Sequence, residues 1–151
     1  MNPPIHDYAS GSDPSDPEPL AGTSLNRGHV LLIEDDSIIQ GLIAMSLRKA
    51  GYQVRCAGDG EEGWEILVSN HFDLLITDNN LPKLTGVGLT RRLRVTDQQM
   101  PVLLISGQIP WQTPGLEKLL SPGMALEKPF PMARLVESVR NLMHTGPVRV
   151  G

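Results

Sequence analysis

The sequence predicts an α/β fold in which one five-stranded parallel sheet carries helices on both faces. Short continuous apolar runs alternate with segments whose apolar residues recur every three to four positions. Such runs suit strands covered on both faces, and the longer period suits amphipathic helices. The alternation repeats five times between His29 and His144, and repeated β-α units build a parallel sheet with right-handed crossovers. This body of 116 residues is long enough for one core.

Each element has its own warrant. His29-Val30-Leu31-Leu32-Ile33 is the first strand. A helix follows, with Asp36 or Ser37 as N-cap, Ile38, Ile39, Leu42, Ile43 and Leu47 at helical spacing, and Gly51 just beyond its end. Tyr52 to Cys56 alternates, as a more exposed strand does. Gly60 to Ser69 is expected as a helix with Trp64, Leu67 and Val68 inward. Asp73 to Thr77 and Pro101 to Ile105 read as buried strands, with a helix over Gly86 to Val95 between them. Pro110, Pro114 and Pro122 confine the fourth helix to about Gly115–Leu120. Met124 to Leu126 is the fifth strand. Met132 to Met143 closes the fold with Leu135, Val136, Val139, Leu142 and Met143 inward.

Composition narrows the function. Residues 1–28 hold five of the 13 prolines and four acids against Arg27, without helical or strand period, and are expected to be a disordered acidic tail. Residues 145–151 are expected to be a flexible end. Most of the formal charge of −4 falls in the tail, and no basic excess offers itself to nucleic acid. A single cysteine, Cys56, excludes an internal disulfide framework. No apolar run approaches the roughly 18–20 residues that span a bilayer, and no secretory signal pattern opens the chain. A soluble cytoplasmic protein is expected.

Open parallel sheets bind ligands at the carboxyl ends of their strands. There the sequence places Glu34-Asp35-Asp36, Thr77-Asp78, Ser106-Gly107 and Lys128-Pro129. Clustered carboxylates repel one another unless a cation or protons intervene. Hard oxygen ligands suit Mg2+, and a lysine and a hydroxyl beside an aspartate suit a phosphoryl group in transfer.

These residues resemble the response-regulator receiver domain of two-component signalling. The resemblance covers residues 29–144 and rests on Leu32-Ile33-Glu34-Asp35-Asp36, Asp73 through Pro82, Leu84-Thr85-Gly86, Pro101 through Gly107, and Glu127-Lys128-Pro129-Phe130. The steps of 43 residues from Asp35 to Asp78, 28 to Ser106 and 22 to Lys128 are similar to the family's. The resemblance implies a flavodoxin-like sheet of order 2-1-3-4-5. It implies Asp78 as phosphoacceptor, with Ser106 and Lys128 holding phosphoryl oxygens. It implies Mg2+ held by Asp35, by Glu34 through water, by Asp78 and by the backbone carbonyl of Asn80, and a cis Lys128-Pro129 bond. The implied donor is a histidine kinase or histidine phosphotransfer protein. The chain is then a signalling receiver rather than an enzyme, with only self-phosphorylation and self-dephosphorylation of its own. No output domain is recognised after residue 144, so the expected downstream partner is another protein.

Blander roles exist for the same residues. Asp36 serves as a helix cap, a strand-end serine often bonds local backbone, and Trp64 at helical spacing belongs to the core. Trp111 is either a rim residue or a packing anchor. His6, His29, His71 and His144 stand alone and receive no role. Two features depart from the common receiver pattern. Ala125 stands where many receivers carry an inward-turning aromatic, and the fourth helix is short and proline-rich. Ala125 keeps open an alternative, a phosphorylation-independent adaptor of the same fold. A flavin or nucleotide domain needs a phosphate loop where Glu34-Asp35-Asp36 stands, and a haloacid-dehalogenase-type phosphatase needs an acid where Asn80 stands.

Overall fold

A computed structural model describes residues 26–145. Five parallel strands, β1 (His29–Ile33), β2 (Gln53–Ala57), β3 (Leu74–Asp78), β4 (Val102–Ser106) and β5 (Gly123–Glu127), form one sheet in the order β2-β1-β3-β4-β5. The helices between and after them are α1 (Ser37–Lys49), α2 (Gly60–Ser69), α3 (Gly86–Thr96), α4 (Leu116–Leu120) and α5 (Met132–Thr145). The α/β class, the parallel sheet and the strand order are those expected.

Strand alternation splits the core into two layers. Val30, Leu32, Leu74, Ile76, Leu103, Ile105 and Leu126 face α1 and α5, whose Ile43, Leu47, Leu135 and Val139 are buried against them. Leu31, Ile33, Leu75, Val102 and Leu104 face α2, α3 and α4, meeting Leu67, Leu89, Leu93, Leu116 and Leu120. Fully burying a side chain of this size stabilises by roughly 1.5–3 kcal/mol, so both layers are needed to hold the sheet flat against its helices. The layers also fix which strand-end side chains share a face.

Several boundaries move by a residue for local reasons. Tyr52 N–H donates to Leu47 O at 3.1 Å, closing the end of α1, so β2 starts at Gln53. Pro101 has no N–H to give, and β4 starts at Val102. Asn79 N–H donates to Ile105 O at 3.0 Å, which carries the β3 ladder to Asp78. Asp36 is the N-cap of α1 and accepts from the N–H groups of Ile38 and Ile39. That start turns Ile38 and Leu42 outward, 73% and 46% exposed, while Ile43 and Leu47 of the same apolar repeat are buried together with Ala44. Val68 corrects its expectation: it is 59% exposed, because it sits roughly 100° around the helix from buried Leu67. Trp64 is half-buried against the second layer, with the Arg92 guanidinium 5.7 Å from its ring centroid.

The fold reaches slightly past the expected body at both ends. Arg27 N–H donates to Gly51 O at 2.9 Å, and Asn26 Oδ1 accepts from Gly28 N–H. Most of the expected tail, residues 1–25, and residues 146–151 lie outside the described residues. The described helices include none long and apolar enough to cross a membrane.

Candidate functional site

The carboxyl edge of the sheet brings Glu34, Asp35, Asp78 and Lys128 together. Glu34 extends β1 by one residue, and its backbone is pinned by N–H donation to Ala57 O at 3.1 Å. Gln40 Nε2 of α1 donates to the carbonyls of Glu34 and Ala57 at 3.0 and 3.1 Å. Asp78 alternates with Ile76 and therefore points to the α1/α5 side of the sheet. Lys128 follows β5, and its N–H donates to Ser106 O at 2.8 Å. Its peptide bond to Pro129 is cis, as the resemblance implied.

Lys128 Nζ donates to Glu34 Oε1 at 2.9 Å and to Asp78 Oδ2 at 3.1 Å. The other Asp78 oxygen, Oδ1, accepts from Asn80 N–H at 3.2 Å. Glu34 Oε2 accepts from Asp36 N–H at 3.1 Å. Glu34, Asp35 and Asp78 each offer a carboxylate oxygen within 4.8 Å of the others. Glu34 and Asp78 are buried, while Asp35 and the Asn80 side chain are exposed, so the cluster opens to solvent on one side.

One ammonium thus faces two of the three clustered carboxylates. Burial pushes the Glu34 carboxyl above its ordinary range; the Lys128 and Asp36 hydrogen bonds oppose this, and the nearby Asp78 charge adds to it. Burial acts against the Lys128 charge, but the hydrogen bonds and charges of Glu34 and Asp78 outweigh it, and the Lys128 pKa is raised. The group left over is a surplus of negative charge carried only by oxygen ligands, open to water at Asp35. That donor set fits a hard divalent cation such as Mg2+, which keeps several waters while meeting one or two carboxylates.

Ser106 is placed differently. It alternates with Leu104, which pairs with Ala125 in register, so Ser106 and Ala125 share the α2–α4 face of the sheet. The Ser106 hydroxyl donates to Gln108 O at 3.0 Å and accepts from Gln108 N–H at 3.3 Å. It is fully buried. The structure therefore brings Ser106 to the rim beside Asp78 and Lys128 but commits its hydroxyl to its own loop. Nothing in the sequence points to Gln108 or Gln40: Gln108 acts through its own backbone groups and the Gln40 amide acts on backbone carbonyls, and neither leaves a signature of spacing.

Residues 30–140 match the response regulator receiver domain family. The chain is 34% identical over 119 residues to the transcriptional regulatory protein CusR of Escherichia coli, covering 78% of this chain and 52% of that one. It spans about half the length of the curated relatives it matches. Among solved structures it is similar to a putative response regulator from Chloroflexus aurantiacus, with a TM-score of 0.70, 32% identity, and coverage of 78% of this chain and 98% of that one. It is also similar to the receiver domain of a sensor histidine kinase from Pseudomonas aeruginosa, whose structure has a magnesium ion coordinated in the active site cleft. That match has a TM-score of 0.66 and 26% identity, covering 78% of this chain and 98% of the other.

The chain belongs to the response regulator receiver family of two-component signalling. Receiver domains bind Mg2+ at an acidic pocket of this kind and interact with histidine kinases or phosphotransfer proteins.

Proposed function

We propose that this protein takes a phosphoryl group on Asp78 from a histidine kinase or histidine phosphotransfer protein, in a Mg2+-dependent step, and signals through changed binding to another protein. The observation that carries this reading is the setting of Asp78. Its two oxygens are held by Lys128 Nζ and Asn80 N–H beside a carboxylate pair suited to a divalent cation.

In the reaction a carboxylate oxygen of Asp78 forms a bond to phosphorus while the bond from phosphorus to the donor's imidazole nitrogen breaks, and an acyl phosphate results. Asp78 is oriented by hydrogen bonds to both of its oxygens, from Lys128 Nζ and Asn80 N–H. Lys128 keeps its ammonium against the phosphoryl oxygens, where preorganised charge contributes most. Glu34 holds that ammonium in place from behind at 2.9 Å. Mg2+, when held by Glu34, Asp35 and Asp78, supplies positive charge against the phosphoryl oxygens. Asn80 would add its backbone carbonyl to that set. Slow self-dephosphorylation by water from the exposed Asp35 side belongs to the same reading.

The test is transfer of labelled phosphate from a phosphorylated kinase or from acetyl phosphate. Wild type becomes labelled with Mg2+ and loses labelling with EDTA, while Asp78→Asn takes no label under either condition. Equal labelling of Asp78→Asn would reject the assignment. Absence of labelling in both proteins would favour the phosphorylation-independent adaptor.

A further inference from the structure

We propose that Gln40 is a positioning residue for the metal pocket: it grips the backbone on both sides of Asp35 and so sets where that carboxylate stands. The proposal rests on Glu34, Asp35 and Asp78 being the Mg2+ site, and it concerns what holds that site in shape. Glu34 and Asp78 are buried. Their carboxylates are fixed by hydrogen bonds from Lys128 Nζ, Asp36 N–H and Asn80 N–H. Asp35 is exposed, and its side chain takes no such bond among the described residues. Its place is therefore set by its main chain.

Gln40, in the first turn of α1, holds that main chain twice. Its Nε2 donates to Glu34 O at 3.0 Å, and its own N–H donates to Asp36 O at 2.9 Å. A peptide unit is planar, so fixing Glu34 O fixes the plane that carries Asp35 N–H and ends at Asp35 Cα. The bond to Asp36 O fixes the chain on the other side. Nε2 has two N–H groups to give, and the second goes to Ala57 O at 3.1 Å. That carbonyl also accepts from Glu34 N–H at 3.1 Å, so the plane is anchored to the end of β2 as well as to α1. Contacts that orient a metal ligand are commonly worth about tenfold or more in affinity. Arg48 offers the contrast. It lies roughly two turns further along α1 and donates to Val54 O at 2.8 Å. It ties the same helix to the same strand, but at the end away from the pocket.

The experiment uses the full chain with Mg2+ alone as the probe, followed by amide NMR. In wild type the amides of Glu34, Asp35 and Asp78 shift on titration. Gln40→Met keeps the length of the side chain and removes both amide N–H donors. It raises the Mg2+ dissociation constant about tenfold and moves the Asp35 amide before any metal is added. Gln40→Ala does the same. Arg48→Met lowers Tm by about as much as Gln40→Met or more, yet its Mg2+ dissociation constant stays within about twofold of wild type. Labelling of Gln40→Met by acetyl phosphate is weak at the Mg2+ concentration that half-saturates wild type. At saturating Mg2+ it returns to within about twofold of wild type, as a loss confined to metal binding requires. An unchanged Mg2+ dissociation constant in Gln40→Met and Gln40→Ala overturns the proposal and leaves the site reading standing. An equal loss in Arg48→Met, or labelling that stays low at saturating Mg2+, also overturns it, because the effect is then a general loosening of α1. If wild type shows no Mg2+ shifts at Glu34, Asp35 and Asp78, the site reading fails and the proposal fails with it.

Discussion

Two partly buried cations, Lys128 and Arg94, sit at opposite edges of the sheet and are neutralised in different ways. Lys128 lies at the carboxyl edge and faces two carboxylates at 2.9 and 3.1 Å. Arg94, near the end of α3, lies beside the amino ends of β4 and β5. Its guanidinium donates to the carbonyls of Met100 at 2.7 Å, Leu119 at 2.8 Å, Leu120 at 2.9 Å, Asp97 at 3.3 Å and Pro122 at 3.4 Å. Burial pushes its pKa down. The carbonyls it takes include the unpaired ones at the end of α4, which explains how a five-residue helix holds its place. Carbonyl partners belong to the backbone and cannot be exchanged. Carboxylate partners can instead take up a cation, and the ammonium they hold can turn to another anion. The first arrangement cements the fold, and the second keeps a charge available for chemistry.

The largest effect expected from this contrast is at Arg94. Arg94→Met leaves several buried carbonyls without donors and costs about 3 kcal/mol or more, a fall in Tm of roughly 10 °C or more. Arg94→Lys recovers less than half of it, because an ammonium lacks the planar fork. Urea denaturation measures both; a loss under about 1 kcal/mol would break the comparison.

Next in size is Lys128→Met, which leaves Glu34 and Asp78 facing each other. A cost of about 2 kcal/mol at neutral pH is expected, partly recovered by Mg2+ and with greater recovery than in wild type. The pH dependence has a definite sign. The raised Glu34 pKa means that the folded state favours its protonated form. That contribution is full below the ordinary glutamate range and is lost as pH rises through the raised value. The gap between variant and wild type therefore narrows in acid, where Glu34 becomes neutral. Lys128, also raised, contributes fully below the ordinary lysine range and loses its contribution as pH climbs through its higher value, so the gap narrows again in strong alkali. A pH-independent gap would show that the ion pairs do not set the cost.

Asp35→Ala sharpens the contrast without disturbing the fold. Asp35 is exposed, so stability stays within about 0.5 kcal/mol, while Mg2+ affinity by NMR titration falls at least about tenfold. Unchanged affinity would remove Asp35 from the ligand set. The smallest effect is expected for Glu34→Gln. The amide keeps an acceptor for Lys128 and removes the buried charge, so Tm rises by a few degrees at most and Mg2+ binding weakens. A lower Tm would mean that the Glu34 charge stabilises the unloaded protein.

The sequence made the edge of the sheet readable because strand-end residues are separated by regular β-α units, so the acids, Asp78 and Lys128 had to converge. It also made the strand order readable through the family's motifs. Side-chain direction at the rim was harder. Ser106 stands in the expected place, but its alternation with Leu104 puts its hydroxyl on the other face and into a bond with Gln108. Arg94 reads in the sequence as one more base on a helix, since carbonyl partners up to 28 residues away leave no pattern. Ile38, Leu42 and Val68 carry apolar helical spacing yet are exposed, because spacing alone does not say where a helix starts its turn; the cap at Asp36 decides that for α1. Lys83, with φ of 72°, takes a left-handed turn that nothing in its residue type announces.

The contact behind Asp78 has a mechanical consequence. Gly86 opens α3 so close to the end of β3 that a Cβ there would lie 2.5 Å from Asp78 O and 3.0 Å from Asn79 Cα. Gly86 N–H donates to Asn79 O at 3.2 Å, and Val87 N–H to Asn79 Oδ1 at 3.0 Å. The start of α3 and the end of β3 are therefore tied together by hydrogen bonds and packed without room for a Cβ between them. Asp78 rests on an anvil. A group added to its carboxylate, as in the proposed phosphorylation, cannot be accommodated by the strand backing into α3, where even one methyl would collide with main chain.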